Sequence, residues 1–204
     1  MENAKNSIKD PTSAEAYIDR GNELHDQGDY QAALSDYDEA IRLNPKYVRA
    51  YNNRGNAKVH LGDLEGAISD YDEAIRLNPK YVRAYNNRGF AKSQLGHPEA
   101  AISDYDEAIR LNPEYALAYN NRGLAKSKLG HLEGAIADYD EAIRLDPEYA
   151  TAYNNRGLAK SELGKYLEAI SDYDEVIRLD PNDAAARTNR EHAQRELRER
   201  EKET

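Results

Sequence analysis

The chain contains no cysteine and no tryptophan, and it has only one phenylalanine and one methionine among 204 residues. Without cysteine it can form no disulfide bond, no thiolate metal site and no cysteine nucleophile. No apolar run approaches the length of a membrane-spanning helix, so no membrane insertion is expected. Hydrophobic residues make up 39% of the chain, and its aromatic residues are almost all tyrosine, 16 in number. Such a composition is not expected to build a large central core, but it can fill a thin continuous seam between repeats.

The chain also has fewer basic than acidic residues. Lysine and arginine total 28 against 38 aspartate and glutamate residues, which gives a formal net charge of -10. This balance argues against nucleic-acid binding, which needs a basic surface. The first residues lack the apolar core of a signal peptide, and a cytoplasmic location is expected.

What the chain does have is an internal repeat of fixed length. The hexapeptide AYNNRG recurs every 34 residues, starting at Ala50, Ala84, Ala118 and Ala152. A second string, DYDEAIRL, starts at Asp36, Asp70, Asp104 and Asp138, and returns as DYDEVIRL at Asp172. A period of this length predicts a solenoid of stacked helical hairpins.

One repeat contains the signals of two helices. Ala50, Ala57 and Leu61 recur at helical spacing, Gly62 follows as a left-handed terminating residue, and Asp63 can cap the next helix. The second helix has an apolar stripe formed by Ala67, Ile68, Tyr71, Ala74, Ile75 and Leu77. Each repeat is therefore predicted to be a helical hairpin.

The repeats divide the chain into three parts. A polar N-terminal segment, 1–13, precedes them, and Thr12 with Glu15 has the spacing of a capping box at the first helix. Five repeats are predicted over 14–47, 48–81, 82–115, 116–149 and 150–183. Residues 184–204 are predicted to form a polar capping helix.

The chain resembles the tetratricopeptide repeat family over about 170 residues. In the second repeat the resemblance is carried by Tyr51, Gly55, Gly62, Ala67, Tyr71, Ala74 and Pro79. It implies an all-α fold, a right-handed superhelical solenoid of five antiparallel helix pairs plus the capping helix. It also implies that the first helices line a concave groove that binds proteins or peptides, without catalysis.

The second asparagine of AYNNRG is the strongest candidate for peptide contact. This residue recurs as Asn53, Asn87, Asn121 and Asn155 on the face that the resemblance assigns to the groove. An asparagine amide both donates and accepts hydrogen bonds, so a row of them could hold a peptide backbone. The alternative is that these are exposed polar residues copied along with the repeat.

Other residues on the same face vary between repeats. The first repeat offers Glu15, Asp19, Asn22 and Asp26, and the residues that follow add Arg49, Arg83, Lys46 and Lys80. The last two repeats offer Leu117, Leu124 and Leu158. Asn56 lies on the same face in the second repeat and Phe90 in the third. This gradient predicts a partner segment that is acidic at one end and apolar at the other. Solvated charges and packing of side-chain stems are the alternative explanation.

The arginine of AYNNRG is expected to pair with the first aspartate of DYDEAIRL, because a buried arginine needs a partner. Pairing within a repeat would join Arg54 to Asp70, and pairing between neighbours would join Arg54 to Asp36. Since Arg190 has no following aspartate at this spacing, the sequence slightly favours the second scheme, with Arg190 meeting Asp172.

The sequence predicts a non-catalytic scaffold that holds an extended protein or peptide partner. It contains no constellation for catalysis and no metal-ligand spacing, and it implies no cofactor. Two alternatives remain open. Near-identical repeats could stack end to end in a self-associating scaffold, or the array could be consensus-like or engineered, with no evolved ligand.

Overall fold

The structure, a computed structural model, describes residues 12–203. All regular elements in that range are α-helices: α1 (Ala14–Asp26), α2 (Tyr30–Leu43), α3 (Val48–His60), α4 (Leu64–Leu77), α5 (Val82–Gln94), α6 (Pro98–Leu111), α7 (Ala116–Lys128), α8 (Leu132–Leu145), α9 (Ala150–Glu162), α10 (Tyr166–Leu179) and α11 (Ala184–Glu203). Residues 1–11 of the predicted N-terminal segment, and residue 204 of the predicted capping helix, lie outside it.

The helices belong to two compact units, the first ending at Ala91 and the second beginning at Lys92. In the first unit, α1 pairs with α2 and α3 pairs with α4, while α2 packs against α3. In the second, α7 pairs with α8 and α9 pairs with α10, while α6 packs against α7 and α8 against α9. The predicted all-α fold of consecutive antiparallel helix pairs is confirmed.

The core of each unit is built from alanine and one tyrosine per hairpin. In the first unit Tyr37 and Tyr71 are almost fully buried among Ala33, Ala40, Ala50, Ala57, Ala67, Ala74, Ala84 and Ala91. Small side chains let the helix axes approach closely, and the tyrosine ring fills the remaining space. This explains how a chain with no tryptophan and one phenylalanine packs tightly.

A glycine in the first helix makes room for that ring in the hairpins α1–α2, α3–α4, α7–α8 and α9–α10. A Cβ atom on Gly55 would lie 2.6 Å from Cε1 of Tyr71, and one on Gly123 would lie 2.7 Å from Cε1 of Tyr139. Carbon atoms in contact normally stay about 3.5–4.0 Å apart. The glycine is therefore required by the close approach of the ring, not by the helical backbone.

The helix ends follow the sequence signals, with one correction. Gly62 has a φ of 82°, and the side chain of Asp63 caps α4 by accepting a hydrogen bond from a main-chain N–H at 3.0 Å. The capping residue of α1 was predicted wrongly, although the helix begins at Ala14, the first residue of the predicted first repeat. Ser13 is the cap, because its Oγ accepts from the N–H of Ala16 at 3.2 Å, whereas Thr12 lies one residue too early.

The last helix closes the second unit, as the prediction of a capping helix required. It packs against α10, where Ala193 joins a buried cluster with Ala169 and Tyr173. Its other face exposes charged residues, including Glu191 and Arg195. A polar outer face keeps the last hairpin from presenting an apolar surface to water.

A charged cluster joins the two helices of the hairpins α3–α4, α7–α8 and α9–α10. In the second unit, Nε and Nη2 of Arg122 donate to both carboxylate oxygens of Asp138, at 3.0 and 2.6 Å. Lys126 Nζ lies 2.8 Å from the same carboxylate, whose side chain is only 6% exposed. The third nitrogen of Arg122 donates to Asp106, on α6, at 2.6 Å.

The same arrangement joins Arg54, Lys58 and Asp70 in the first unit, with Asp38 as the outer partner. Burial disfavours the charge of Arg54, but its hydrogen bonds to Asp70 and Asp38 outweigh this and raise the guanidinium pKa. Each of these arginines therefore stays charged and bridges its own hairpin to the preceding one.

The favoured register of this pairing was therefore wrong. The first aspartate of DYDE binds the arginine of its own hairpin, and the second aspartate, two residues later, binds the arginine of the next. Arg190 accordingly meets Asp174 at 2.8 Å and not Asp172. The reason is helical phase, because two residues correspond to about 200° around a helix axis and point the two carboxylates to opposite sides.

Candidate peptide-binding site

The second asparagines of AYNNRG lie half-buried between neighbouring first helices. Asn53 Nδ2 donates to Asn22 Oδ1 at 2.8 Å, while its own oxygen accepts from Asn52 Nδ2 at 3.1 Å. Asn87 Nδ2 donates to Asn52 at 3.2 Å and to Asn56 at 3.0 Å. These amides therefore join α1, α3 and α5 of the first unit to one another.

The second unit repeats the pattern. Asn155 Nδ2 donates to Asn120 Oδ1 at 3.0 Å, and Asn120 donates to Asn121 at 3.5 Å. At the last helix Asn189 donates to Asn154 at 3.3 Å. Much of the hydrogen-bonding capacity of the second asparagines is thus used between helices, and their contact with a peptide stays a prediction.

No role was predicted from the sequence for the first asparagine of each pair. Asn52 and Asn120 are buried, and each accepts a hydrogen bond from an asparagine on the next first helix and donates one to the asparagine beside it. Two adjacent asparagines inside a helix are poor helix formers, so their presence in every AYNNRG copy could have indicated that both have a specific role. The sequence could not say which of the two faces inward.

Asn22 and Asn56 are oriented by tyrosine hydroxyl groups. The hydroxyl of Tyr37 donates to Asn22 Oδ1 at 2.9 Å, and that of Tyr71 donates to Asn56 Oδ1 at 2.8 Å. Burial raises the pKa of both phenols, with further contributions from nearby aspartates, so both stay protonated as donors.

This orientation leaves Asn22 and Asn56 as donors only. Each oxygen already accepts two hydrogen bonds, since Asn53 and Asn87 supply the second one. In the part of the chain that the structure describes, neither Nδ2 group has a partner. Both amides therefore offer free N–H groups and no free lone pair.

The polar pocket of the first unit collects these donors beside two arginines. Its volume is about 300 Å³, and its walls are Asn22, His25, Asp26, Tyr37, Arg49, Asn53, Asn56, Tyr81 and Arg83. Arg49 and Arg83 are exposed and form no ion pair among residues 12–203. Burial raises the pKa of Tyr81, while Arg83 and Arg49 oppose the shift, which places both positive charges near one phenol.

A second cavity, the aromatic pocket, adjoins the polar pocket. Its volume is about 430 Å³, and its walls are His25, Asn56, Val59, His60, Tyr71, Asn87 and Phe90. Phe90 is 37% exposed. The two pockets share His25 and Asn56, so together they bring all seven predicted site residues of the first unit onto one continuous surface.

The remaining predicted site residues lie in the second unit. Leu124 on α7 and Leu158 on α9 are 39% and 45% exposed, and Asn121 and Asn155 are half-buried on the same helices. Leu124 and Leu158 occupy the repeat position that is Asn22 in α1 and Asn56 in α3. This position is therefore apolar in the second unit, whereas α1 and α3 of the first unit carry amides there.

Two further features bear on function. Residues 12–203 contain no cluster of three or more histidine, aspartate or glutamate side chains arranged to hold a metal ion. None of the helices in this range combines the length and apolar character needed to cross a membrane.

The phenol of Tyr71 gives a direct test of the oriented amides. We expect Tyr71→Phe to lower the free energy of unfolding by about 0.5–1.5 kcal/mol, because it deletes one hydrogen bond to Asn56. Tyr139→Phe should change it little, since the Tyr139 hydroxyl makes no hydrogen bond within the described range. Urea denaturation of both variants measures the difference, and equal losses would contradict the assigned role of the bond.

Sequence and structure comparisons agree on one family. Models described as tetratricopeptide repeat match residues 18–82, 82–115, 104–137 and 150–183, and one described as TPR repeat matches 127–164. No curated protein matches the chain.

Among solved structures, the crystal structure of MamA is 27% identical with a TM-score of 0.69, covering 81% of this chain and 96% of its own. TTC0263, a thermophilic TPR protein of Thermus thermophilus, is 24% identical with a TM-score of 0.75 and coverages of 89% and 98%. YrrB, described as a TPR protein with an unusual peptide-binding site, is 23% identical with a TM-score of 0.67 and coverages of 88% and 92%.

Proposed function

Because the chain belongs to the tetratricopeptide repeat family, whose members typically mediate protein interactions, we propose that its first unit binds an extended acidic segment of a partner protein. The binding surface consists of the exposed faces of α1, α3 and the start of α5. In this proposal the protein is a non-catalytic scaffold, and YrrB, which is described as having a peptide-binding site, is similar to it in fold.

The observation that carries the proposal is the excess of hydrogen-bond donors in the polar pocket. Asn22 and Asn56 present only N–H groups, and Arg49 and Arg83 add two unpaired guanidinium groups. Carboxylates and main-chain carbonyl groups accept from such donors, and arginine–carboxylate bonds are among the strongest that side chains form. A peptide N–H group or a lysine finds no acceptor on these four side chains.

The local charge is unusual for this protein. The whole chain carries a formal charge of -10, yet the arginines of this pocket lack carboxylate partners, unlike Arg54 or Arg122. Asp26 also borders the pocket, but its side chain is 85% exposed, so water screens its charge. An unpaired basic patch on an acidic protein favours an acidic partner segment and disfavours nucleic acid.

The second unit is proposed to contact a partner by different chemistry. Leu124 and Leu158 present apolar surface on α7 and α9, and Asn121 and Asn155 keep part of their amides exposed beside them. Apolar side chains of a partner would be buried here, in agreement with the gradient along the sequence.

Binding to defined peptides tests the proposal. Fluorescence anisotropy would compare a labelled glutamate-rich peptide with the matched glutamine-rich peptide, at low and at physiological salt. We expect the glutamate peptide to bind more tightly and Arg49→Gln/Arg83→Gln to weaken it by about tenfold or more, since each lost charge-assisted bond is worth about 1.5–3 kcal/mol.

The control is Arg76→Gln, which removes an exposed arginine on α4 that is paired with Glu73. It should leave glutamate-peptide binding unchanged. Equal affinity for the two peptides, or equal weakening by Arg76→Gln, would refute binding in the polar pocket.

A further inference from the structure

The aromatic pocket is an open cavity that adjoins the proposed acidic-peptide site. Building on the proposed acidic-peptide site, we propose that this pocket binds an aromatic side chain of the same peptide. The partner segment would then be recognised by an acidic residue and an aromatic residue placed near each other in its sequence.

The walls of the pocket are mainly rings. His60 stacks on Tyr30, with ring centroids 4.3 Å apart and planes 1° from parallel, and His25 meets both rings edge-on at 5.1 Å. Tyr30 therefore backs one face of His60 and holds its ring in place. Phe90, Tyr71 and Val59 complete the apolar lining.

Phe90 stands out by its position in the repeat. It occupies the place that is Asn22 in α1 and Asn56 in α3, and it is the only phenylalanine of the chain. Its side chain remains 37% exposed and does not belong to the buried core around Tyr71. A large exposed ring at the wall of a cavity is available to a ligand, because the internal packing does not require it.

Continuity with the polar pocket identifies the occupant. Because His25 and Asn56 form walls of both pockets, a side chain in one pocket is a near neighbour of a side chain in the other. An extended peptide advances about 3.3 Å per residue, so one segment can fill both pockets with residues close in sequence. The donor-rich pocket binds the carboxylate, and the ring-lined pocket binds the apolar neighbour.

The ring walls favour an aromatic over an aliphatic occupant. An aliphatic side chain gains only from leaving water, whereas an aromatic ring also gains from edge-to-face or offset-stacked contacts with Phe90 and His60. We expect this difference to give a phenylalanine-containing peptide about threefold to tenfold higher affinity than its leucine counterpart. A cavity of about 430 Å³ accommodates such a ring.

Three glutamate-rich peptides test the inference, carrying phenylalanine, leucine or alanine at one position. That position is moved stepwise along the peptide relative to the glutamates. The expected affinity order is phenylalanine, leucine, alanine, with the largest ratio at one spacing. Phe90→Asn, which installs the residue found at the same place in α1 and α3, should bring the phenylalanine-to-alanine ratio close to one.

The control is Leu43→Asn, which removes a leucine that is 42% exposed at the end of α2 and lines neither pocket. It should leave the phenylalanine-to-alanine affinity ratio unchanged. Equal binding of the phenylalanine and alanine peptides to the unmodified protein would overturn the aromatic pocket alone. The acidic site would survive that result if binding still depended on Arg49 and Arg83. Absence of binding by every acidic peptide would overturn both proposals.

Discussion

We expect Asp138→Ala to lower the free energy of unfolding by about 3 kcal/mol, the lower end of the range for breaking a buried ion pair. The substitution removes the carboxylate that both Arg122 and Lys126 contact, at distances between 2.6 and 3.0 Å. Two cations then remain in a poorly solvated site without their shared counter-charge. The loss stays at the lower end because Arg122 keeps Asp106.

Asp140→Ala is the matched control, because it removes an aspartate two residues away on the same helix. The side chain of Asp140 is 55% exposed, and its partner Arg156 keeps Asp172. Its loss should cost less than about 1 kcal/mol, as for other exposed pairs. Urea denaturation at fixed ionic strength measures both variants. Similar losses would mean that the inner carboxylate has no special role in holding α7 against α8.

The second large effect concerns the tyrosine that fills each hairpin. We expect Tyr139→Ala to cost about 3–5 kcal/mol, since it leaves a cavity where an almost fully buried ring had packed. Gly123→Ala should cost about 1–3 kcal/mol for the opposite reason, because its new methyl group would lie 2.7 Å from the ring. The close contact between Gly123 and the Tyr139 ring therefore predicts a loss of stability both when the ring is removed and when a methyl group is added.

Combining the two changes separates this explanation from general disruption. In the double variant the methyl group on residue 123 enters space vacated by the ring, so the combined cost should be smaller than the sum by about 0.5–3 kcal/mol. Gly134→Ala is the control, because its Cβ would have ordinary contact at 3.5 Å from Lys126. It should stabilise the protein by up to about 1 kcal/mol through helix propensity. Additive costs in the double variant would contradict the packing explanation.

The fold could be predicted from the sequence because the length of the repeat can be counted directly and is typical of one kind of helical hairpin. Thirty-four residues, a turn glycine such as Gly62 and a buried tyrosine such as Tyr71 define a helical hairpin without reference to distant contacts. Helix capping was less certain, and the first cap fell on Ser13 instead of Thr12. Thr12 and Ser13 both have a hydroxyl group that can cap a helix, and the path of the backbone decides which of them does so.

The side-chain network was predictable in composition but not in register. The sequence showed that each arginine needs an aspartate, yet choosing between Asp70 and Asp36 for Arg54 depends on rotation about two helix axes. The same applies to Asn52, whose burial depends on where the neighbouring helix lies. The polar and aromatic pockets could not be foreseen for this reason, since they depend on spaces between side chains that no single helix defines.

The bridging arginines couple the folding of neighbouring hairpins. Arg54 and Arg122 each hold one carboxylate from their own hairpin and one from the hairpin before it. If one hairpin melts, its neighbour loses a counter-ion and is left with a partly unsatisfied cation. We therefore expect the loss of one hairpin to destabilise its neighbour within the same unit, though only modestly because the outer carboxylate is exposed. Added salt should reduce this coupling by screening the outer pair.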